Sequence, residues 1–411
     1  MLLWLAVTMV NLVVASSAND SDAVDATSNG NNLLLRPCPS DCECIEPHTL
    51  HCANAEIGRI PADWPPTQLR RLIIRNCTLS TIHKNAFKKF HKLEELRIAR
   101  CPNLDVIDKL AFKGLNKLSL LHISENPKLT EIFKSTFSGI GNQHGLRIYI
   151  HDNALKRIHG NSFRNAHNIR ELSIIDSSFE VASHAFSSIF KMDFVTLRGV
   201  NKLDSMVFAN TSRVHRLVIH QSKLSISPMA FARLSHVNQI LLNDNDISVI
   251  ATDAFAELGT VGSVHLSSNT ITRLEPRAFA VLENVGTLII THNTFRSTLA
   301  TPETLLTSAS KLVFNENTVP CECALAWILH HRDRHLLTDN YCGQEESFRA
   351  LAYYKPKSCP AQSNIVKDVQ SPTDTVFSDN SGLFSASQSA TRSSLATATF
   401  LLTSFLVFHL L

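Results

Sequence analysis

Much that would announce a chemistry is missing from this 411-residue chain. There is no Gly-rich loop to cradle a phosphate, no G-x-S-x-G elbow and no paired-carboxylate arrangement, so catalysis has no visible residues. The formal net charge is only +3, too small to argue for a nucleic-acid partner. The ten cysteines include no C-x2-C pair, which weighs against a zinc knuckle, the alternative reading of the cysteines near the start. His330, His331 and His335 have no acidic or cysteine ligand fixed nearby and lie beside Arg332 and Arg334. They read as a solvated basic face, and neither a metal nor a cofactor is expected. The first residues lack a basic n-region, and no Lys or Arg follows the last apolar run.

What the chain does have is a repeat. Residues 237–293 read VNQILLNDNDISVIATDAFAELGT, VGSVHLSSNTITRLEPRAFAVLEN and VGTLIITHNTF. Each full copy is 24 residues long, with apolar residues at its first, fourth, sixth and eleventh places, Asn at the ninth and Phe in the second half. The skeleton L-x-x-L-x-L-x-x-N-x-L at this period is the signature of a leucine-rich repeat. Val264 and Leu266 alternate inward on a short strand while Ser263, His265 and Ser267 face outward. The Asn269 amide is suited to pair with the backbone of neighbouring coils. Ile271, Leu274 and Phe279 fill the outer part of the wedge, and one coil alone has too little apolar surface to be stable.

Coil starts fall near Leu69, Leu93, Leu118, Gly145, Ile169, Met192, Val214, Val237, Val261, Val285 and Ala309. Phe87, Phe112, Phe137, Phe163, Phe186, Phe208, Phe231, Phe255 and Phe279 mark the convex side. The expected fold is an α/β solenoid, a leucine-rich repeat horseshoe of about eleven coils with a parallel concave sheet roughly 50 Å long. The ninth places hold Cys77, Cys101, Asn126, Asn153, Ser177, Val200, Ser222, Asn245, Asn269, Asn293 and Asn317. Cys77 and Cys101 pack there as buried thiols or, alternatively, bridge adjacent coils. CPNL, NPKL and VNKL each insert a residue after the strand, so irregularity is expected around Cys101, Asn126 and Val200.

The other cysteines cluster at the two ends of the repeats, which predicts disulfide-stapled caps in an oxidising compartment. The expected divisions are a signal peptide over 1–18, a disordered leader over 19–35, an N-terminal cysteine cap over 36–68, repeats over 69–317 and a C-terminal cap over 318–360. A flexible Ser/Thr-rich stalk follows over 361–394. The apolar tail 395–411 matches a GPI-attachment signal with Asn380 as attachment site, or else a single membrane anchor, although it is shorter than the ~20 residues a span needs.

The spacing C-x3-C-x-C-x7-C in RPCPSDCECIEPHTLHC resembles the N-terminal cap of extracellular leucine-rich repeat proteins. That resemblance implies Cys38 with Cys44 and Cys42 with Cys52; spacing alone allows three pairings. CECALAWILHHRDRH resembles the family's C-terminal cap, with an apolar helix containing Trp327, Ile328 and Leu329, and implies Cys321 with Cys342 and Cys323 with Cys359. Its wording is close to the cap of neurotrophin-receptor ectodomains. Coils such as LRIARCPNLDVIDKLAFKGL are similar to those of glycoprotein-hormone-receptor ectodomains, whose seven membrane spans this chain lacks.

In that family the ligand usually lies on the concave face. The residues placed there include Arg71, Arg75, Arg97, Arg100, His122, Arg147, Tyr149, His151, Arg198 and Arg216, so the N-terminal half of the sheet is expected to be basic, with aromatic groups among the charges. An extracellular protein ligand, a co-receptor or a sulfated glycan would suit it; the bland alternative is that strands merely need soluble outer faces. Glycosylation sequons stand at Asn19, Asn76 and Asn210. The resemblance implies a cell-surface recognition protein, an adhesion molecule or a non-signalling co-receptor. The alternative is a secreted or shed matrix protein that binds glycan or collagen; an enzyme is not expected.

Overall fold

In a computed structural model, residues 38–45, 48–61, 68–330, 334–343 and 349–355 are described, all within one unit, Met1–Cys359. The expected signal peptide, leader, stalk, tail and Asn380, the Asn19 sequon, His331 and Cys359 lie outside the described residues.

Eleven parallel strands at the expected coil positions run from Arg71–Arg75 to Lys311–Asn315. Each pairs with the strand one coil away in parallel register, as in Val264 with Leu288 and Leu266 with Ile290. Parallel pairing follows because every coil returns the chain to the same edge before the next strand begins. The inward residues of successive strands, such as Ile240, Leu242, Val264, Leu266, Leu288 and Ile290, are buried in one continuous core. The fold is a leucine-rich repeat solenoid. Its helical share is small: the described residues contain one α-helix, His335–Thr338, and short 3-10 turns.

Two ladders of side chains lock the coils together. The nine phenylalanines expected on the outer side are all buried and succeed one another from Phe87 to Phe279, with ring centroids between 4.7 and 6.1 Å apart. The asparagines form the polar ladder. The Asn245 backbone N–H and its Nδ2 both donate to Asn269 Oδ1, at 2.9 and 3.1 Å, while Nδ2 also donates to the Ile219 carbonyl at 2.9 Å. Asn269, Asn293 and Asn317 repeat the pattern, and Asn340 of the terminal segment completes it by accepting from Asn317 N–H at 3.0 Å. Asn340 was not singled out by the repeat spacing because it lies past the last strand of the period.

The chain turns out of nine of the eleven strands through a left-handed residue: Asn76, Arg100, Glu125, Asp152, Gln221, Asp244, Ser268, His292 and Glu316 all have φ between 47° and 57°. Non-glycine residues tolerate this region at a cost, and Asn and Asp tolerate it best.

The repeat spacing needs correction at several places. In the fourth coil the first core position belongs to Leu146, not Gly145: Leu146 is buried and pairs with Ile169, and Gly145 sits at φ +93°. In the fifth coil the ninth-place role passes from Ser177, which is exposed, to Asp176, which is buried and accepts from the Leu155 N–H at 3.2 Å. Burial raises the Asp176 carboxyl, since the charged form is poorly solvated there. The pairing of this strand with the next shifts register between Ile175 and Phe179, where Gly199 lets the two backbones approach: an added Cβ would lie 1.9 Å from the Asp176 carbonyl. The irregularity expected at Val200 is therefore present. At Cys101 and Asn126 the concave strands keep an unbroken register. The disturbance falls instead on the outer short strands, where Thr81–Ile82 and Val106–Ile107 form a separate sheet that does not continue to Glu131–Ile132.

Disulfides staple both ends. Cys38–Cys44 and Cys42–Cys52 hold an antiparallel hairpin, Glu43–Ile45 with Thr49–Ala53, against the first coil strand. Cys321–Cys342 ties the far end; Cys323 is also disulfide-bonded. Such bonds persist in oxidising compartments. The apolar segment around Trp327 is a 3-10 helix, Cys323–His330, rather than an α-helix. Cys77 and Cys101 are buried free thiols, the first reading of the two; Cys77 Sγ donates to the Cys52 carbonyl at 3.3 Å, and burial pushes the Cys101 thiol up to about 11.

Because Phe137 is fully buried between Phe112 and Phe163, Phe137→Ala should destabilise the protein by about 3–5 kcal/mol, the range for an aromatic cavity in a packed core. Chemical denaturation followed by circular dichroism measures the loss, and a change below about 1 kcal/mol would contradict the aromatic ladder's role.

Candidate functional site: the concave sheet

Strand residues that alternate with the core set point to the other face, and the parallel register lines them up in rows, one residue per coil. The third-place row begins Arg71, Glu95, Leu120, Arg147, Glu171, Phe194 and Arg216. The fifth-place row begins Ile73, Arg97, His122, Tyr149, Ser173 and Thr196. The seventh-place row contains Arg75, Ala99, Ser124, His151, Ile175, Arg198 and His220. Nine of the ten candidates thus lie on strands of the first seven coils. Arg100 sits at the left-handed turn just beyond its strand.

Register also brings acids against the arginines. Glu95 lies 3.7 Å from Arg71 Nε and is hydrogen-bonded by Arg97. Arg100 Nε donates to Glu125 Oε2 at 2.7 Å, a bond that lowers the Glu125 carboxyl and raises the Arg100 guanidinium. Arg216 Nε donates to Gln239 at 3.0 Å. The first coils of the face therefore carry charge pairs at Arg71, Arg97 and Arg100, while Arg75, Arg147 and Arg198 are in no ion pair among the described residues; exposed pairs of this kind add little stability, typically under about 1 kcal/mol, and leave both partners available to a ligand.

At the centre of that half the rings of His122, Tyr149 and His151 meet, with centroids 5.5–6.0 Å apart. Tyr149 donates its hydroxyl to Glu171 at 2.7 Å, and His151 Nε2 lies 2.9 Å from Ser173 Oγ. Burial raises the Tyr149 phenol, reinforced by the Glu171 carboxylate, and burial lowers both histidines, His122 further through His151 and Arg97. Burial lowers His220 and His265 as well. Further along, Phe194 is 43% exposed and meets His215 edge-on at 5.5 Å.

The C-terminal half of the fifth-place row, Val218, Leu241, His265, Ile289 and Val313, is mostly apolar and half-buried. Sequence reasoning placed His265 on this face but passed over the four apolar residues. The signal was present as runs of three apolar residues, LVI, ILL and LII, in which the middle one must face away from the core.

Among the described residues no group of three His, Cys, Asp or Glu is placed to hold a metal ion. His335 is exposed and lies 3.5 Å from Asp339. Of the two described sequons, Asn76 is at the rim of the first coil, its Nδ2 donating to Asn54 at 2.6 Å, and Asn210 is exposed on the outer side of the sixth. No helix among the described residues is long and apolar enough to cross a membrane.

The four lowered histidines give a testable pH dependence. At pH 7 they are mostly neutral in the unfolded chain and more completely so in the folded one. As pH falls below the ordinary histidine value of about 6.5, the unfolded chain takes up protons that the buried rings resist, so stability falls with pH. The melting temperature should drop between pH 7 and 5.5, and less steeply in the double variant His122→Gln, His151→Gln; equal slopes would contradict the assignment.

Comparison with known proteins supports the repeat and leaves the ligand open. Comparison with curated protein sequences gives no match. Similar solved structures include human 5T4, also called Wnt-activated inhibitory factor 1 or trophoblast glycoprotein, at 18% identity and TM-score 0.34, covering 57% of this chain and 82% of that one. Another is TLR13 in its complex with ssRNA13, at 18% identity and TM-score 0.38, covering 62% of this chain and only 32% of that one. An internalin from Listeria monocytogenes has 16% identity and TM-score 0.32, covering 66% and 81%. The family model described as the BspA type leucine rich repeat region matches in six copies over residues 67–154 and 156–286, more than half of the chain. The chain therefore belongs to the BspA-type leucine-rich repeat family.

Proposed function

We propose that this protein is a cell-surface recognition protein, an adhesion molecule or non-signalling co-receptor, whose concave sheet binds an extracellular protein partner. The observation that carries the reading is the division of one continuous face into two halves. Paired charges and the His122–Tyr149–His151 cluster occupy the first coils, and the apolar row Val218, Leu241, Ile289 and Val313 occupies the later ones. A protein interface needs both: apolar and aromatic groups supply binding energy, and complementary charges set orientation and association rate. The disulfides at both ends support an extracellular setting. On this reading the tail 395–411 directs attachment of a GPI anchor at Asn380, and phospholipase treatment of intact cells should release the protein.

A binding screen with the disulfide-intact secreted protein tests the site. Leu241→Asp with Ile289→Asp should weaken the captured partner at least thirtyfold, about 2 kcal/mol, by placing charge in the centre of the contact. Reversal of Arg75, Arg97 and Arg100 to Glu should slow association and remove its salt dependence. A partner bound with unchanged affinity by both variants would take the concave sheet out of the account.

A further inference from the structure

The outer side of the first three coils carries charge of a different kind from the concave face. Lys84, Lys88, Lys109, Lys113 and Lys134 are exposed there, and none of them is in an ion pair among the described residues. Three carboxylates lie nearby, each on or beside the stripe: Asp108 is 3.3 Å from His83 Nδ1 and also accepts from the Lys84 backbone N–H, Glu131 is 3.0 Å from His159 Nε2, and Asp105 is exposed. The lysines recur in register. Lys84, Lys109 and Lys134 each stand three residues before a ladder phenylalanine, and those phenylalanines are 5.8 and 5.3 Å apart from coil to coil. The same position in the next coils holds Gly160, Ser183 and Ser205, so the basic stripe is confined to one end of the repeat array.

The stripe runs across a groove. The break in the outer sheet, where Val106–Ile107 fails to pair with Glu131–Ile132, opens a hollow of about 510 Å³ lined by Val106, Ile107, Phe133 and His159, with three lysines, Lys84, Lys109 and Lys134, against a single acid, Asp108. Phe133 is 38% exposed and stacks on His159 with centroids 5.3 Å apart and planes 17° from parallel. A large aromatic ring left in water beside unpaired cations has no structural role in the core, which the Phe87–Phe279 ladder already fills.

We propose that this groove binds a sulfated glycosaminoglycan chain, with Phe133 and His159 as a flat platform for one sugar ring and Lys84, Lys109 and Lys134 as partners of successive sulfate or carboxylate groups. Evenly spaced point charges match a linear polymer that repeats its anionic groups, and lysine ammonium groups are suited to sulfate without demanding bidentate geometry. The apolar ring answers the carbon-bound hydrogens of a sugar face. A single-stranded nucleic acid fits less well, because successive bases require successive aromatic platforms and the groove offers one stack. This site is separate from the concave sheet and stands or falls independently of it.

The test is binding of the full secreted chain to immobilised heparin over a salt series, against desulfated heparin, a single-stranded oligonucleotide of equal charge and phosphatidylserine vesicles. The triple variant Lys84→Gln, Lys109→Gln, Lys134→Gln should bind heparin about a hundredfold more weakly and lower the slope of log affinity against log salt by roughly two. Phe133→Ala should weaken binding severalfold with the slope unchanged, and Arg75→Glu with Arg97→Glu on the concave face should leave heparin binding intact. Thermal unfolding of each variant confirms that these exposed substitutions keep the fold. Heparin affinity unchanged in the triple variant, equal affinity for desulfated heparin, or tighter binding to the oligonucleotide or the vesicles would each overturn the proposal.

Discussion

Everything in this molecule depends on the inability of one coil to satisfy itself. A coil of about two dozen residues has too little interior to bury its own apolar face, and its turn leaves backbone groups without partners. The neighbour supplies both. Phe255 is covered by Phe231 and Phe279, while the backbone N–H of Asn269 is satisfied by Asn293 one coil further on. The ends, which have no further neighbour, are closed by other means: an antiparallel hairpin held by Cys38–Cys44 and Cys42–Cys52 at one, and Asn340 with Cys321–Cys342 at the other.

Stacking also decides what the surface can do. Because successive strands keep parallel register, a residue type recurring at one place in the repeat becomes a line across the molecule. On the concave side the lines mix signs, and arginines find glutamates of the same or the adjacent coil. On the outer side of the first coils the line is lysine alone, with a broken outer sheet behind it. Two surfaces of contrasting electrostatics thus arise from one repeat, and each is set by coils whose cores are nearly identical.

The core was the most legible part of the sequence. Period-two alternation within Val264-His265-Leu266 and the recurring Phe translate directly into burial, because a wrong residue there would leave a cavity or a stranded polar group. Legibility failed where backbone, not side chain, set the register. Leu146 displaces Gly145, and Asp176 displaces Ser177, because the coils there are 27 and 23 residues from their neighbours and the strands bulge to compensate. The surface was harder still. The arginines of the concave sheet were visible one by one, but their pairing with Glu95 and Glu125 is a property of adjacent coils. The lysines at 84, 109 and 134 gained meaning only once the break beside Val106–Ile107 was seen. Val218, Leu241 and Ile289 were hidden by core residues on either side of them.

Hydrogen exchange on the intact protein and on Asn269→Ala tests the neighbour-dependence most directly. Loss of the amide leaves the Asn245 N–H and the Leu242 carbonyl unpaired, a cost of about 2 kcal/mol. The account predicts faster exchange in the strands Leu234–Asn243, Thr260–Ser267 and Val285–Thr291, with Arg71–Arg75 unchanged. Faster exchange confined to the substituted coil, or spread evenly over all eleven, would contradict it.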